Sequence, residues 1–561
     1  MNDNTEQILV SPARSGFSLQ YRGKTLLSTY NPIKQSERAV EAAFPLKNRT
    51  LYLCPSPLFG YGLGLLLKNL PPDSAVICAE ADKALSHWTA RSFDKSLLNT
   101  ENSLGNTHRL QLVYAENPLV ICDFVQKTFG KRAFRRVITI KLNSGWQIQE
   151  QIYTEMEKML TKNIAIEWSN AMTLSKLGRL YARNAVRNLP LLATSKNAAD
   201  INLSGRNVLV LGAGPSLDDL FDHLMPGICG CYIICVDTAL GGLLERGIKP
   251  DLVVALEAQH WNLRDFIGAH PIPIAMDLSA LPATADFCGS GGCQSPYLFW
   301  TQWTEMRFFE KLAATGLLPI ELPAAGSVGL SAVALALKLN AKKVLCAGLD
   351  FSFTVDKYHC KGSPSYRANL QNTNRFKPPI PFAAAFRLAA FSCTAKDGSQ
   401  VRSDPSMKNY RDLFSLCFSN AKNLFDIKNS GLPLGIKSIS YNEAIEIVLE
   451  NTSVKKITSD TDTLKKQNLS VNEKKIAAAQ FIQNEITNLN ALLRILQGKK
   501  NTGTTLLENL IDETDYLWAH FPDCAGAGGQ HPPVTDITFL KRVRVEIAPF
   551  LKLFDRAAFF I

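Results

Sequence analysis

Short apolar runs alternate with glycine turns and helical patterns through the middle of the chain. The run Asn207–Leu211 is followed at once by Gly212-Ala-Gly-Pro-Ser-Leu-Asp218, and the helical pattern Asp219–Leu224 comes next. A second apolar run, Tyr232–Val236, ends on Asp237. Strand, glycine turn, helix, strand and acid is the order of a βαβ unit. The pattern therefore predicts a parallel-sheet domain around this stretch.

The turn between these two strands is a candidate phosphate seat. Glycine lets the backbone approach a ligand closely, and open amides at the start of a helix favour negative charge. Asp237 follows Gly212 by 25 residues, where such units hold a ribose hydroxyl. Leu217 replaces the third glycine of GxGxxG, so a tight turn without a ligand is the alternative. The candidate nucleotide-binding residues are Gly212, Gly214, Pro215, Ser216 and Asp237.

Further apolar runs within residues 201–450 predict more strands of the same sheet, and several end on an acid. One run leads into Glu257, and another leads into a loop with Asp350 and His359. Because parallel strands end at one edge of a sheet, we expect these side chains to lie near one ligand. Carboxylates and imidazole can exchange protons with a substrate, so all three are candidate catalytic residues. Capping or loop hydrogen bonding is the alternative for each.

A second glycine turn, Gly326-Ser-Val-Gly329, opens the helical pattern Leu330–Leu339. Ser327 is a favourable N-cap residue, and the first amides of the helix favour an anion. Gly326 and Ser327 are therefore a second candidate seat for a phosphate.

Residues 49–145 repeat the opening pattern in a weaker form. The run Thr50–Cys54, a glycine-rich turn and a second run ending on Glu80 follow the order of a nucleotide site. Two prolines in the turn and the lack of GxGxxG weaken that interpretation, so we favour a scaffold or partner-binding role. A hairpin around Arg22-Gly23 is predicted ahead of this domain.

These patterns predict an α/β fold class with two Rossmann-like parallel-sheet units, a weaker N-terminal one and a central catalytic one, plus a C-terminal α-helical domain. The segment 364–406 is too long for a plain connection and is predicted to be a mobile lid. The predicted domains are 1–145 with the leading hairpin, a connector of two helices at 146–200, the central domain at 201–450, and a linker with the helical domain at 451–561.

Composition narrows the class of protein. The 561 residues are 46% hydrophobic and 20% charged, as in globular proteins. The net charge of +11 fits an anionic small molecule, a nucleic acid or a membrane surface, and by itself does not choose. We see no signal peptide and no membrane-spanning run, so we expect a cytoplasmic protein without stable membrane insertion. We also expect no nucleic-acid partner. The 13 scattered cysteines predict reduced, buried thiols, and we disfavour a metal cluster at Cys229, Cys231 and Cys235.

Four stretches together resemble the motility accessory factor (Maf) proteins, which share a domain with 6-hydroxymethylpterin pyrophosphokinase-like proteins. The order and spacing of the stretches match that family across residues 200–440. They are Gly212–Asp218, Asp237 through Ile248-Lys-Pro-Asp251, Gly326-Ser-Val328, and Gly348-Leu-Asp-Phe-Ser-Phe353 with His359 and Gly362.

The resemblance implies an enzyme that moves a nonulosonic (sialic-like) acid from a CMP-sugar to Ser or Thr of flagellin. The CMP phosphate would rest on the amides at 214–217, and Asp350 or His359 would take the proton of the acceptor hydroxyl. Positioned proton transfer of this kind contributes roughly 10²–10⁴-fold to a rate. Glu257 stands where the family pattern has Asp, and Ala325 where it has a second glycine. These departures leave open which sugar nucleotide is used and whether magnesium takes part. A homo-oligomer is also possible from the sequence.

Two other functions fit parts of the same pattern. A pyrophosphokinase acting on a pterin alcohol would need magnesium, with Asp237 and Asp350 as its carboxylate ligands. The long flanking domains argue against it. A motility factor without catalysis would bind flagellin through the C-terminal helices, but the intact glycine turn argues against a decayed site.

Overall fold

A computed structural model describes the fold as two compact units. One comprises Met1–Lys176 with Ala519–Pro532, and the other Leu177–Trp518 with Pro533–Ile561. The described residues are 8–94, 96–97, 103–104, 107–130, 132–224, 230–269, 271–288, 295–303, 306–376, 386–428, 430–449, 469–498, 503–526 and 530–561. The predicted α/β fold class with parallel sheets and C-terminal helices is confirmed.

The first unit contains a parallel sheet of four strands. Its order is Leu110–Tyr114, Ala75–Glu80, Thr50–Pro55 and Arg136–Thr139. The predicted hairpin is confirmed by the antiparallel strands Leu9–Pro12, Phe17–Tyr21 and Lys24–Thr25, and a two-stranded ladder joins Ser103–Leu104 to Thr107–His108. Its helices are Pro32–Glu41, Leu63–Lys68, Lys83–Ser92, Pro118–Phe129, the first part of Glu150–Thr194, and the short Pro522–Gly526.

Glu80 at the end of its strand has hydrogen-bond partners from its own chain. The hydroxyls of Ser56 and Tyr153 each donate to its carboxylate at 2.8 Å, and the amides of Ala81 and Asp82 donate at 3.0 Å. Burial raises the pKa of Glu80. Internal donors thus occupy the place where a ribose would bind, which favours the scaffold interpretation of this unit.

The second unit is built on a ten-stranded sheet in which every described strand pair is parallel. Its central strands are apolar and buried on both faces, as expected when helices cover both sides. The order is Lys196–Asn197, Tyr297–Thr301, Ile274–Asp277, Leu252–Ala255, Tyr232–Val236, Asn207–Leu211, Lys343–Ala347, Leu424–Ile427 and Lys437–Ile439, with Ile320–Leu322 also pairing with Tyr297–Thr301.

The direction of strand succession reverses beside Asn207–Leu211. Tyr232–Val236 lies on one side of this strand, and Lys343–Ala347 lies on the other. The loops that follow these strands therefore diverge and leave a crevice at the carboxyl edge of the sheet. Open α/β sheets bind their ligands at such a switch point.

The helices of the second unit cover the sheet and form the C-terminal part of the chain. They are the second part of Glu150–Thr194, Leu217–Leu224, Asp237–Glu245, Arg307–Ala314, Val328–Lys338, Pro364–Gln371, Pro405–Phe418, Tyr441–Leu449, Val471–Leu496, Thr504–Glu513 and Ile537–Phe559. Glu150–Thr194 is one continuous helix, so the prediction of two helices in the connector is wrong. The intervening stretch has neither Gly nor Pro, and its β-branched residues lower helix propensity only slightly.

The predicted lid also needs correction, because much of segment 364–406 is regular structure. It contains the helix Pro364–Gln371 and the hairpin Phe391–Thr394 with Gln400–Ser403. Lys396 in the hairpin turn donates to both carboxylate oxygens of Asp426 at 2.8 and 2.9 Å. Residues 377–385 of the predicted lid, and 451–468 of the predicted linker, lie outside the described residues.

Within the described ranges, no helix combines the length and the apolar character needed to span a bilayer. The eleven cysteines in those ranges are free thiols, and most are buried, as predicted. Cys229 of the disfavoured metal cluster lies outside the described residues.

Candidate functional site

A cavity of about 180 Å³ opens at the switch point of the central sheet. Its walls come from the loops after three adjacent strands and from the start of one helix. Residues that line it include Gly212, Gly214, Asp237, Thr238, Ser327, Val328, Gly329, Asp350, Ser352, Tyr358 and His359. The structure thus brings together most of the predicted residues, whereas Pro215, Ser216 and Gly326 do not line this cavity.

The first predicted phosphate seat is filled by the protein itself. The amide of Gly214 donates to the carbonyl of Gly348 at 2.7 Å, and the amide of Ser216 donates to Asp350 at 2.7 Å. The Ser216 hydroxyl donates to the other carboxylate oxygen of Asp350. The amide of Leu217 also has an internal acceptor, the carbonyl of Gly214 at 3.1 Å. The prediction that a CMP phosphate rests on the amides at 214–217 therefore needs correction.

Asp350 is buried, and both of its oxygens accept hydrogen bonds from Ser216. Burial raises the pKa of Asp350, while the bonds from Ser216 oppose that rise. A carboxylate engaged in this way fixes the glycine turn against the next loop. The geometry therefore makes Asp350 a positioning residue, rather than the proton acceptor that the sequence predicted.

Asp218 at the end of the glycine motif anchors the loop that carries His359. Its carboxylate accepts from the side chains of Arg246 at 3.1 Å and Lys357 at 3.0 Å, and from the amide of Lys361 at 3.0 Å. These bonds hold the loop over the turn and place the ring of His359 in the cavity wall.

The His359 ring is neutral at physiological pH. Burial lowers the pKa of His359 to about 4. Nδ1 lies 3.0 Å from the Ser365 hydroxyl, so Nε2 is the nitrogen that can meet a ligand. A neutral imidazole of such low basicity is better suited to hydrogen bonding than to proton abstraction near pH 7.

The second predicted seat opens into the cavity. Ser327 is the N-cap of helix Val328–Lys338, and its side chain makes no capping hydrogen bond. Ser327, Val328 and Gly329 line the cavity wall, so the first amides of the helix lie at its surface. The helix dipole adds favourable potential for an anion there. Gly326 instead sits against the ring of Tyr410, with φ of 67°.

A second cavity of about 230 Å³ shares Asp237, Thr238 and Val328 with the first. Three carboxylates, those of Asp237, Glu257 and Asp265, line it. Burial, reinforced by the neighbouring carboxylates, raises the pKa of Asp237 to about 7 and that of Asp265 to about 8. One wall of the site can therefore take up or release protons near neutral pH.

Asp237 is held in place by its neighbours. Oδ1 accepts from the Thr238 amide at 2.8 Å, and Oδ2 accepts from the side-chain amide of Asn262 at 3.2 Å. Asn262 is almost fully buried, and its own Oδ1 atom has no hydrogen-bond partner. This arrangement orients the carboxylate toward the two cavities that it lines.

Carboxylates that share a cavity are the ligand type that magnesium takes in proteins. Among the residues that the structure describes, no group of three or more His, Cys, Asp and Glu side chains is placed to hold a metal. The carboxylates around the second cavity therefore do not fit a metal site as they stand.

Two asparagines on helix Glu150–Thr194 hold the loops behind the acidic wall. The side-chain amide of Asn184 donates to the carbonyls of Ala258 and Ser279 at 3.0 and 3.2 Å. That of Asn188 donates to the carbonyls of Leu278 and Ala280 at 2.8 and 2.9 Å. Both side chains are buried, so Asn184 joins the loop after Glu257 to the loop after Asp277, and Asn188 holds the latter loop.

We expect Asp265→Asn to stabilise the protein at alkaline pH. An unfolded Asp has a pKa of about 3.9, and the folded value of about 8 lies well above it. Between these values the folded state holds a proton that the unfolded state releases, so wild-type stability falls as the pH rises. The variant should have the melting temperature of the wild type near pH 4 and a melting temperature at least about 2 °C higher than the wild type at pH 8. The exposed Asp286→Asn is the matched control, and an equal gain in both variants would contradict the expectation.

Several lining residues were not predicted from the sequence. Asp265, Asn262 and Trp261 lie on the 3-10 helix His260–Phe266, which was not recognised. Its only signal was a run of polar residues directly after a strand that ends on an acid. Thr238 and Tyr358 adjoin predicted residues and could have been included on that ground.

The fold and the cavity define the class of this protein: an α/β protein with a ligand cavity at the switch point of a parallel sheet. Residues 183–356 match the family described as 6-hydroxymethylpterin diphosphokinase MptE-like. This range contains the glycine turn, the acidic wall and the start of helix Val328–Lys338. This part of the chain is therefore similar to the MptE-like family.

Over its whole length the chain shares its fold with the Maf glycosyltransferase of Magnetospirillum magneticum AMB-1. The match covers 100% of this chain and 93% of that structure, with a TM-score of 0.52 and 14% identity. Together with the MptE-like domain, it confirms the resemblance to the Maf family that the motifs indicated.

Two proteins of Treponema pallidum (strain Nichols), both described only as uncharacterized, are also similar. One is 28% identical over 97% of this chain and 94% of its own length. The other is 26% identical over 25% of this chain and 29% of its own length.

Proposed function

We propose that this protein is an O-glycosyltransferase that moves a nonulosonic acid from its CMP-activated form to Ser or Thr of flagellin. The observation that carries the proposal is the pair of adjoining cavities at the carboxyl edge of the sheet. The start of helix Val328–Lys338 lines both cavities, and three carboxylates line the second. The first feature suits the donor phosphate, and the second suits removal of a proton. The glycosyltransferase fold of the Magnetospirillum protein supports the same reaction class.

The donor phosphate rests on the first amides of helix Val328–Lys338. Backbone donors at a helix N-terminus need no rearrangement as charge grows on the leaving phosphate. The glycine turn forms the opposite wall, and Gly212 and Gly214 let that turn pack closely against the loop of Gly348 and Asp350. Neutral His359 donates or accepts a hydrogen bond in the same wall.

Asp237 takes the proton of the acceptor hydroxyl. As the hydroxyl oxygen forms its bond to the anomeric carbon, the bond from that carbon to the CMP phosphate breaks, and the proton passes to Asp237. CMP leaves with the negative charge. A base works best when its pKa lies near the working pH, and the pKa of Asp237, about 7, meets that condition better than that of His359, about 4.

The proposal is tested by mass spectrometry of the flagellar filament protein from a strain that lacks this gene. We expect the filament protein to lose the mass of its glycan, and complementation with the wild-type gene to restore it. Complementation with Asp237→Asn should leave the mass low. An unchanged mass in the deletion strain would contradict the proposal.

A diphosphokinase is the second candidate, favoured by the MptE-like match over residues 183–356. It predicts that the purified protein with magnesium and ATP converts a 6-hydroxymethylpterin to its diphosphate. The proposed transferase predicts no such product. Detection of the pterin diphosphate would overturn the assignment to glycosyl transfer.

A further inference from the structure

A cavity of about 540 Å³ lies between helix Arg307–Ala314 and helix Val471–Leu496. None of its lining residues is shared with the two cavities at the sheet edge. We call it the helical groove. Its lining runs from Ala477 to Asn488, which is roughly 16 Å along the helix axis. An extended chain of about five residues has that length.

The charges on the floor of the helical groove are paired within the protein. Lys311 Nζ donates to Glu485 at 2.5 Å and to the carbonyl of Glu513 at 2.7 Å. The hydroxyl of Tyr516 donates to the second carboxylate oxygen of Glu485 at 3.0 Å. Glu485 is buried and forms an ion pair with Lys311, so each of these charges is balanced by the other. The groove is therefore suited to a neutral ligand.

Three carboxamides form a row along one wall. Gln480, Asn484 and Asn488 are spaced four residues apart, which places them on one face of the helix. None of the three side chains has a hydrogen-bond partner among the residues that the structure describes. Each carboxamide offers both donors and an acceptor. The wall thus presents an unused donor and acceptor pair at every turn.

We propose that the helical groove binds an extended segment of polypeptide through its main chain. Residues four apart on a helix are separated by about 6 Å along its axis. An extended chain presents an N–H and a C=O to the same side at every second residue, about 6.6–6.8 Å apart. The spacing of the three carboxamides therefore nearly matches the spacing of three successive N–H and C=O pairs on one side of an extended chain. Main-chain recognition gives affinity without demanding a particular sequence.

This inference deepens the proposed function and rests on it for the identity of the segment. A transferase that modifies Ser or Thr must hold a polypeptide acceptor, and flagellin is the proposed one. The small side chains of Ala314 and Ala477 leave the groove open for an unfolded stretch of that protein.

The test uses the full-length protein and overlapping fluorescent peptides that span flagellin. Polarisation should detect peptides that bind the wild type. In the variant Gln480→Ala/Asn484→Ala/Asn488→Ala, the affinity for those peptides should fall at least about tenfold, since three hydrogen bonds are lost. The control variant is Gln483→Ala/Asn490→Ala, which removes exposed carboxamides of the same helix that do not line the groove. It should bind as the wild type does.

Circular dichroism and melting temperature should be the same for all three proteins. The inference is overturned if no flagellin peptide binds, if the triple variant binds like the wild type, or if the control loses as much affinity. Titration of CMP into the same proteins separates the two proposals. If the proteins bind CMP but the triple variant keeps the peptide affinity of the wild type, only the proposal for the groove is contradicted. If peptide binding requires the three carboxamides but no protein binds CMP, only the proposed donor is contradicted.

Discussion

Gly214→Ala should destabilise the second unit by about 1–3 kcal/mol and abolish donor binding. A Cβ at this position would overlap the carboxylate of Asp350 and lie 2.7 Å from the carbonyl oxygen of Gly348. The backbones of Gly348 and Gly212 pack closely, and the carbonyl of Gly348 accepts from the Gly214 amide at 2.7 Å, so the methyl has no free space to enter. The added methyl would therefore separate the glycine turn from the loop that carries Asp350 and His359. Chemical denaturation and CMP titration measure the two effects.

The matched control is Gly64→Ala, on an exposed position of helix Leu63–Lys68. A Cβ at this position would lie 3.9 Å from a methyl of Leu97, which is ordinary van der Waals contact. Alanine in a helix interior is favoured over glycine by about 1 kcal/mol. The control should be neutral or stabilising. Full stability and full CMP affinity in Gly214→Ala would contradict the close packing of the turn.

Asp237→Asn should lower kcat by roughly 10²–10⁴-fold while donor affinity stays within a few-fold of the wild type. The variant keeps an acceptor oxygen for the Thr238 amide. Asn262 can rotate its carboxamide so that Oδ1, now without a partner, accepts from the new amide. The fold should therefore survive, and the loss should fall on proton transfer. Steady-state transfer to flagellin, with CMP titration beside it, separates the two quantities.

The wild-type rate should fall as the pH drops below about 7, because the folded-state pKa of Asp237 has that value and the protonated form cannot accept a proton. His359→Gln is the informative comparison, since glutamine keeps a hydrogen-bonding group but cannot titrate. We expect it to reduce the rate far less than Asp237→Asn does. The reverse order of effects would assign the proton transfer to His359.

The strands of the central sheet could be predicted because buried parallel strands are unbroken apolar runs. Asn207–Leu211 and Tyr232–Val236 have the predicted bounds. The meeting of Asp237 with Asp350 and His359 around one cavity also followed from the rule that parallel strands share a carboxyl edge. These features depend on local sequence and on sheet topology alone.

The structural role of each side chain could not be predicted in the same way. Whether the amides after Leu211 are open depends on Gly348 and Asp350, which lie more than a hundred residues further along the chain. The carbonyl of Gly348 accepts from the Gly214 amide and the carboxylate of Asp350 accepts from the Ser216 amide, and neither contact has a local signal in the sequence. Asn184 and Asn188 act through carbonyls of distant loops, and their helical spacing carries no signal of that role.

The central claim is that the donor phosphate lies on the first amides of helix Val328–Lys338. Val328→Pro removes one of those amides, and proline is well tolerated at the first helical position. Ser327, with φ of −133° and ψ of 131°, already has the conformation that a following proline requires. Val328→Ala trims the same side chain but keeps the amide. Isothermal titration with CMP should show at least about tenfold weaker binding for Val328→Pro than for Val328→Ala, at equal melting temperatures. Equal CMP affinity in the two variants would contradict the claim.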